Sequence, residues 1–139
     1  MLFVDTSTWS LALRRDQVPT HVPQVARLRQ ALQAGEELFT TGLVLQELMQ
    51  GIKGPKERPA MLARFSALPM LVPDRRDHAE AALLHSTCRQ AGMQAGTIDV
   101  LLAQLCIRHR LVMLTTDDDF VRIASVAPLE VWPAPASPP

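Results

Sequence analysis

The residues of this sequence best suited to chemistry are acids that follow two short apolar segments. Asp5 comes directly after the apolar segment 1–4, and Asp117, Asp118 and Asp119 follow the apolar segment 111–114 and two threonines. If both segments are neighbouring strands of a parallel sheet, the acids meet beyond the carboxyl ends of the strands, where such sheets bind ligands. Acidic turns also cap helices or face solvent, so these two positions alone do not establish a site.

Two predicted helices supply further candidate acids. Glu47 lies at the edge of an apolar stripe that begins at Val44, and Asp99 follows Thr97 by two residues in the first turn of a helix. Each candidate also has a simpler interpretation. Glu47 can be a surface charge, Asp99 can stabilise a helix N-terminus through the helix dipole, and Asp5 can be the N-cap of the next helix.

Electrostatic repulsion limits how such acids can coexist. Two unit charges about 6 Å apart repel by roughly 3 kcal/mol at an effective dielectric of about 20. Several carboxylates in one cleft would therefore cost a large part of the roughly 5 to 15 kcal/mol that stabilises a domain. The cluster is tolerable if some acids are protonated or if a cation lies among them. Oxygen ligands favour Mg²⁺ or Mn²⁺, and such a site suits the attack of water on a phosphodiester.

A zinc site is less favoured by the sequence. His85 and Cys88 are three residues apart on a predicted helix, but no second pair follows them, and the sequence contains no HExxH motif. Cys88 and Cys106 have no paired spacing, and we interpret them as buried, reduced thiols, which suits a cytoplasmic protein.

Short apolar strands alternate with helical segments along the chain. Strands are predicted at residues 1–4, 38–40, 70–73, 111–114 and 129–132, and helices at 6–13, 19–34, 42–52, 61–68, 77–90, from 97 onward, and 120–124. Thr6 or Ser7 is the expected N-cap of the first helix, Thr97 that of the sixth, and GIKGPKERP (51–59) a loop. This alternation predicts an α/β fold, with helices covering both faces of a mostly parallel sheet.

Composition limits the class of protein. The chain has 139 residues, of which 47% are hydrophobic and 20% charged, which is typical of one globular domain. No apolar run approaches the roughly 20 residues that span a bilayer, and we expect no secretory signal and no membrane association. The formal net charge is zero, which excludes a broadly basic surface for coating nucleic acid. The Pro-rich tail 133–139 is predicted to be disordered.

Four segments resemble the motifs of PIN-domain ribonucleases, and most closely those of VapC-type toxins of bacterial toxin–antitoxin modules. They are MLFVDTSTW at the start, TTGLVLQELMQG in the middle, and TIDVLLAQLCIRH followed by LVMLTTDDDF. The resemblance implies one PIN-like nuclease domain over residues 1–132, folded as a three-layer α/β/α sandwich on a mostly parallel sheet. It also implies an endoribonuclease site that depends on Mg²⁺ or Mn²⁺, a cognate antitoxin and a homodimer.

The same resemblance assigns a role to each site residue. Asp5 corresponds to the first acid, a direct metal ligand, and Glu47 and Asp99 correspond to the second and third. Asp117 falls on the fourth acidic position. The accessory residues that the resemblance assigns are Asp119, Thr115, whose hydroxyl orients ligand or water, and Thr6 or Ser7, which supports Asp5. Asp118 departs from the pattern, because basic or polar residues are common at its position.

Two hypotheses of function follow. In the first, the protein cleaves RNA with metal-activated water: Asp5 and Asp99 hold the metal, and Glu47 and Asp117 complete its shell or position the nucleophile. Five basic residues could then meet RNA phosphates or simply face solvent: Arg14, Arg15, Lys53, Lys56 and Arg58.

In the second hypothesis, the protein is a toxin-like module whose main role is partner binding, with weak or no nuclease activity. Five apolar residues could line a partner groove or a homodimer face, or pack in the core: Trp9, Leu11, Leu13, Leu43 and Val44. Two other enzyme classes fit poorly. An aspartyl-phosphate phosphatase needs a second acid where Ser7 stands, and a receiver domain needs a late lysine, whereas no lysine follows Lys56.

Overall fold

The central sheet has five short strands in the computed structural model, which describes residues 1–14 and 16–133. The strands are β1 (Leu2–Val4), β2 (Leu38–Thr41), β3 (Met70–Leu71), β4 (Val112–Leu114) and β5 (Glu130–Val131). All neighbours pair in parallel, in the order β3-β2-β1-β4-β5. β1 therefore lies at the centre with β4 beside it, so the two strands that precede the acids end at the same edge.

Helices connect successive strands. Within the described residues they are α1 (Thr6–Ala12), α2 (Pro23–Ala34), α3 (Gly42–Gln50), α4 (Glu57–Phe65), α5 (Arg75–Gln90), α6 (Thr97–His109) and α7 (Asp118–Ala124). Right-handed crossovers place α1 to α4 on one face of the sheet and α5 to α7 on the other, because the chain reverses its direction along the sheet after β3. The predicted α/β/α architecture on a parallel sheet is confirmed.

The core lies between these layers and the sheet. Phe3 and Val4 on β1 are fully buried, and the rings of Trp9 and Phe65 pack 5.0 Å apart on one face. On the other face, α6 is buried along most of its length. Trp9 and Val44 are thus core residues and not part of an exposed groove. Cys88 and Cys106 are buried and free, as expected from their sequence context.

Several helix ends differ from the prediction. The N-cap of α1 is Asp5 and not Thr6 or Ser7, and the N-cap position of α6 is Gly96 and not Thr97. α2 begins at Pro23 and not at Pro19, and α5 begins at Arg75, two residues earlier than predicted. An aspartate cap explains the early start of α5, because the side chain of its N-cap residue accepts the backbone N–H three residues later.

The loop predicted at residues 51–59 is shorter than expected, because α4 begins at Glu57 and also ends earlier, at Phe65. Pro59 fits in the first turn of this helix, where the missing N–H would have no intrahelical partner. The helix C-termini were predicted better: Gly35 ends α2 in the left-handed region at φ 69°.

Two expectations concern the chain as a whole. Of the tail predicted to be disordered, residues 134–139 lie outside the described residues. Among the helices that the structure describes, none is both long enough and apolar enough to cross a lipid bilayer.

Candidate functional site

Asp5 lies where the two central strands end. Its backbone N–H donates to the carbonyl oxygen of Leu114 at 3.0 Å, which fixes it beside the end of β4. Its side chain is buried, at 5% exposure. Although Asp5 occupies the N-cap position of α1, its carboxylate makes no capping hydrogen bond to that helix. The simple N-cap interpretation therefore does not explain this buried carboxylate.

Two hydroxyl groups bind one oxygen of the Asp5 carboxylate. Ser7 Oγ and Thr115 Oγ1 each donate to Asp5 Oδ2 at 2.9 Å. Each hydroxyl in turn accepts a backbone N–H at 3.0 Å, from Thr116 to Ser7 and from Asp117 to Thr115. Both hydroxyl protons point at Asp5, so this network holds its carboxylate in place and joins α1 to the loop after β4. Among the described residues, none donates a hydrogen bond to Asp5 Oδ1, which leaves that oxygen for a ligand.

The acidic loop after β4 places two of its three aspartates close to Asp99, in a cleft at the carboxyl edge of the sheet. Carboxylate oxygens of Asp99, Asp117 and Asp119 all lie within 4.8 Å of one another. Asp117 is the N-cap of α7, where its Oδ1 accepts the N–H of Asp119 at 2.9 Å. Asp118, between them, is exposed to solvent.

The carboxyl of Asp99 interacts with all four other acids of the cleft. Burial raises the pKa of its carboxyl to about 6, with further contributions from Asp117, Asp5, Asp119 and Glu47. A residue that only served the helix dipole would have a lowered pKa, since a positive helix end favours the ionised form. The helix dipole therefore does not account for Asp99, whose pKa is raised first by burial and then by the charges of the four other acids.

Glu47 approaches the same cleft from α3. It is largely exposed, yet partial burial and repulsion from Asp5 raise the pKa of its carboxyl. The Thr6 hydroxyl faces Glu47 and opposes that rise, but it is buried without a hydrogen-bond partner at normal geometry. A buried, unpaired oxygen at the edge of an acidic cleft is a position where a water or an ion can supply the missing partner.

The donor set fits a hard divalent cation. All the converging groups are carboxylate or hydroxyl oxygens, which are the ligands that Mg²⁺ and Mn²⁺ prefer. Within the part of the chain that the structure describes, the only ion pair to these acids is that of Arg122 with Asp119, and Arg122 is 60% exposed. Among the residues 1–14 and 16–133, no other positive side chain pairs with these acids, and a bound cation would relieve their repulsion.

The structure brings together every acid that the sequence predicted: Asp5, Glu47, Asp99, Asp117 and the accessory Asp119. It differs from the prediction in detail. Asp119 shares the tightest group with Asp99 and Asp117, whereas Asp5 and Glu47 lie outside that group and act on Asp99 through their charge. Of the two hydroxyls considered as support for Asp5, Ser7 makes the hydrogen bond and Thr6 does not.

One neighbour of the cleft was not predicted as part of it. Cys106 on α6 is buried, and desolvation together with the nearby Asp5 charge raises the pKa of its thiol, so it stays protonated. Cys106 follows Asp99 by seven residues, which is about two helical turns, so the two side chains lie on the same face of α6. This spacing is the sequence signal that could have placed Cys106 near the cleft.

Comparison with known proteins supports the same fold. The sequence matches the PIN domain over residues 2–126. FitAcB from Neisseria gonorrhoeae superposes with a TM-score of 0.71 at 20% identity, over 94% of this chain and 96% of that chain. VapBC2 from Rickettsia felis, solved with a DNA fragment from its promoter, gives 0.70 at 21% identity, over 95% and 99%.

A third solved structure is the sarcin-ricin loop cleaving toxin VapC20 from Mycobacterium tuberculosis. It superposes with a TM-score of 0.65 at 20% identity, over 91% of this chain and 97% of that chain. At these identities the superpositions show a shared fold. No curated protein matches the sequence.

Proposed function

Because this chain belongs to the PIN domain family, we propose that it is an endoribonuclease that hydrolyses RNA phosphodiesters with the help of Mg²⁺ or Mn²⁺. The observation that carries the proposal is the convergence of the carboxylates of Asp99, Asp117 and Asp119 within 4.8 Å of one another. Asp5 and Glu47 add their charge to that group. The fold shared with a toxin that cleaves the sarcin-ricin loop supports RNA as the substrate.

Each acid has a proposed task. Asp99, Asp117 and Asp119 would hold the cation, with Asp5 presenting the oxygen that its hydroxyl partners leave free. A divalent cation bound there would activate water and neutralise charge at phosphorus. Glu47 stands at the open side of the cleft with a raised pKa, so it can accept a proton from a water molecule or orient that water. Ser7 and Thr115 hold Asp5 in place.

Basic residues outside the cleft could position the RNA backbone. Arg14, Lys53, Lys56 and Arg58 are exposed, and none of them forms an ion pair with the described residues. Arg15, which the sequence also suggested, lies outside those residues. We propose that the four exposed side chains contact phosphates along the RNA.

Cleavage of RNA by matched variants tests the proposal. The purified wild-type protein should cleave single-stranded RNA in the presence of Mg²⁺ or Mn²⁺. Cleavage should stop when a chelator removes the cation. Asp99→Asn and Asp117→Asn should lose most of this activity, whereas Asp118→Asn, an exposed neighbour of the same charge and loop, should retain it. Equal activity in wild type and Asp99→Asn would contradict the proposal.

We also propose that a cognate antitoxin binds and inhibits this chain, as the resemblance to VapC-type toxins implies. The folds shared with FitAcB and VapBC2 support such a partner. Buried, reduced Cys88 and Cys106 support a place in the cytoplasm, where thiols stay reduced. Co-expression with the product of an adjacent reading frame should yield a complex that cleaves RNA more slowly than the free chain. If the two chains do not co-purify, this part of the proposal is wrong.

A module that mainly binds its partner remains the second candidate. In that case the partner should bind tightly, and the free chain should leave RNA intact at every concentration of Mg²⁺ and Mn²⁺. The implied homodimer is tested by the molar mass of the free chain in solution.

A further inference from the structure

A groove lies beside the acidic cleft, between α5 and the start of α6. It has a volume of about 470 Å³ and lies between the first turn of α6, the facing side of α5 and Leu43 at the start of α3. Thr97 and Ile98 line it, and they belong to the same helical turn as Asp99. Leu43 stands one turn before Glu47 on α3. The groove and the cleft thus share one wall, the first turn of α6.

The lining combines an apolar floor with a basic rim. Leu43 and Ile98 contribute aliphatic surface, and Ile98 is 43% exposed, so it is accessible to a ligand. His85 and Arg89 line the α5 side. Their side chains form no ion pair with any described residue. A free guanidinium and an imidazole beside an apolar surface are suited to a ligand with a flat apolar part and a negative charge.

Charge complementarity indicates what that ligand is. The cleft gathers five carboxylates, and these repel the phosphates that flank the one being cleaved. An RNA strand therefore needs cationic contacts just outside the cleft, and Arg89 lies in the groove next to it. The volume fits one nucleotide, since small-molecule sites usually measure about 300 to 1,000 Å³. A base within a duplex is stacked and paired, so the nucleotide must come from an unpaired segment.

We infer that this groove binds one unpaired nucleotide adjacent to the scissile phosphate of RNA. The base lies on Ile98 and Leu43, and its phosphate is bound by Arg89 and His85. The inference rests on the proposed ribonuclease function and adds to it a site for the nucleotide next to the scissile phosphate. It also makes Ile98 a residue that influences which base is accepted, because a branched aliphatic side chain limits how deeply a base can enter.

Equilibrium binding and kinetics together test the groove. A fluorescent single-stranded RNA of about 12 nucleotides, the scale of a single-strand binding site, is titrated with wild type, Arg89→Met and Ile98→Ser. Arg76→Met is the matched control, because Arg76 lies on the same helix, is 80% exposed and is absent from the groove. We expect Arg89→Met to bind the RNA about 10-fold more weakly than wild type. The slope of the logarithm of its affinity against the logarithm of the salt concentration should be smaller by about one, as expected for the loss of one phosphate contact.

The kinetic pattern separates this inference from the proposed function. Arg89→Met should raise KM for single-stranded RNA by about the same factor, with kcat and Mn²⁺ affinity unchanged, because Arg89 does not touch the carboxylates. If wild type cleaves RNA and Arg89→Met and Ile98→Ser do so with the KM of the control, the groove assignment is wrong while the ribonuclease function stands. If wild type neither binds nor cleaves RNA, both are wrong.

A second copy of the chain is the competing occupant of the groove. If a second copy occupies the groove, Ile98→Ser should differ from wild type in its molar mass in solution while binding RNA equally well. That result would also overturn the inference. Since Ile98 is partly exposed, this variant should fold with a melting temperature close to that of wild type, which circular dichroism can verify.

Discussion

At the scale of single residues, the burial of Asp5 is possible because hydrogen bonds compensate for it. The carboxylate accepts two hydroxyl protons at 2.9 Å, and the hydroxyls of Ser7 and Thr115 are oriented by backbone N–H groups of the neighbouring loop. Buried polar groups are costly unless they are hydrogen-bonded, so the network compensates for the desolvation of Asp5 and holds its side chain in place. The free oxygen of Asp5 is then presented to the cleft.

The Ser7→Ala variant tests this network. It removes a donor to Asp5 and the acceptor of the Thr116 N–H, so we expect the free energy of unfolding to fall by about 1 to 2 kcal/mol. We also expect weaker Mn²⁺ binding, because Asp5 loses its orientation. Chemical denaturation measures the first effect and calorimetric titration the second. Ser10→Ala on the same helix is the control, and an equal loss in both variants would count against a specific role of Ser7.

Asp99 predicts how stability depends on pH without a cation. Its pKa is raised to about 6 in the folded chain, so between its ordinary pKa and about 6 the folded state holds a proton that the unfolded state has lost. Stability should therefore decrease as pH rises from 4 to 6, on the order of 1 kcal/mol after allowing for solvent screening of this half-exposed group. Thermal unfolding in a chelating buffer measures this.

The matching variant is Asp99→Asn, which cannot titrate. Its melting temperature should change less over the same pH range than that of wild type, and at pH 7 it should exceed the wild-type value because repulsion is removed. Identical pH profiles for the two proteins would show that Asp99 is not crowded by the other acids. Saturating Mn²⁺ should reverse the order at pH 7, since only wild type keeps the complete donor set.

At the scale of elements, two ion pairs join the start of α5 to the end of α6, the helix whose first turn forms one wall of the cleft. Arg108 near the end of α6 contacts Asp77 at 3.2 Å and Asp74 at 3.1 Å, at the start of α5. Asp77 is fully buried, and it also forms a capping box with Asp74. Arg108 therefore neutralises a carboxylate that cannot reach water.

Replacing Arg108 by Met should destabilise the fold by about 3 kcal/mol, because Asp77 is left buried without its counter-charge. Arg76→Met removes an exposed pair with Glu80 on α5 and should leave the denaturation midpoint unchanged. Urea unfolding of both variants measures the difference. Equal midpoints would mean that water reaches Asp77 and that Arg108 is not required.

The elements themselves were predictable, because apolar strands and helices with an apolar stripe leave a clear periodic pattern. The first residue of each helix was less predictable. Pro19 and Pro23 are both acceptable at a helix start, and only packing selects Pro23. Likewise Thr97 has the side chain of a good N-cap, yet Gly96 takes that position. Such choices depend on how each helix docks on the sheet, which local sequence does not encode.

At the scale of the whole molecule, the strand order creates the site. The chain places β1 and β4 side by side although they are about a hundred residues apart, and the acids after both strands then share one edge. The sequence predicted this convergence from the positions of Asp5, Asp99 and Asp117. It did not predict that Asp119 belongs to the tightest group, because that depends on the turn that begins α7 and on the orientation of its side chains.

Titration of the metal-free chain with Mn²⁺ tests the central claim most directly, namely that these acids share one divalent cation. We predict saturable binding in wild type that weakens at least about 10-fold in Asp99→Asn and Asp117→Asn, while exposed Asp118→Asn binds like wild type. At about 100 times its dissociation constant, Mn²⁺ should stabilise wild type by about 2.7 kcal/mol. Equal affinity for Mn²⁺ in wild type, Asp99→Asn and Asp118→Asn would contradict the account.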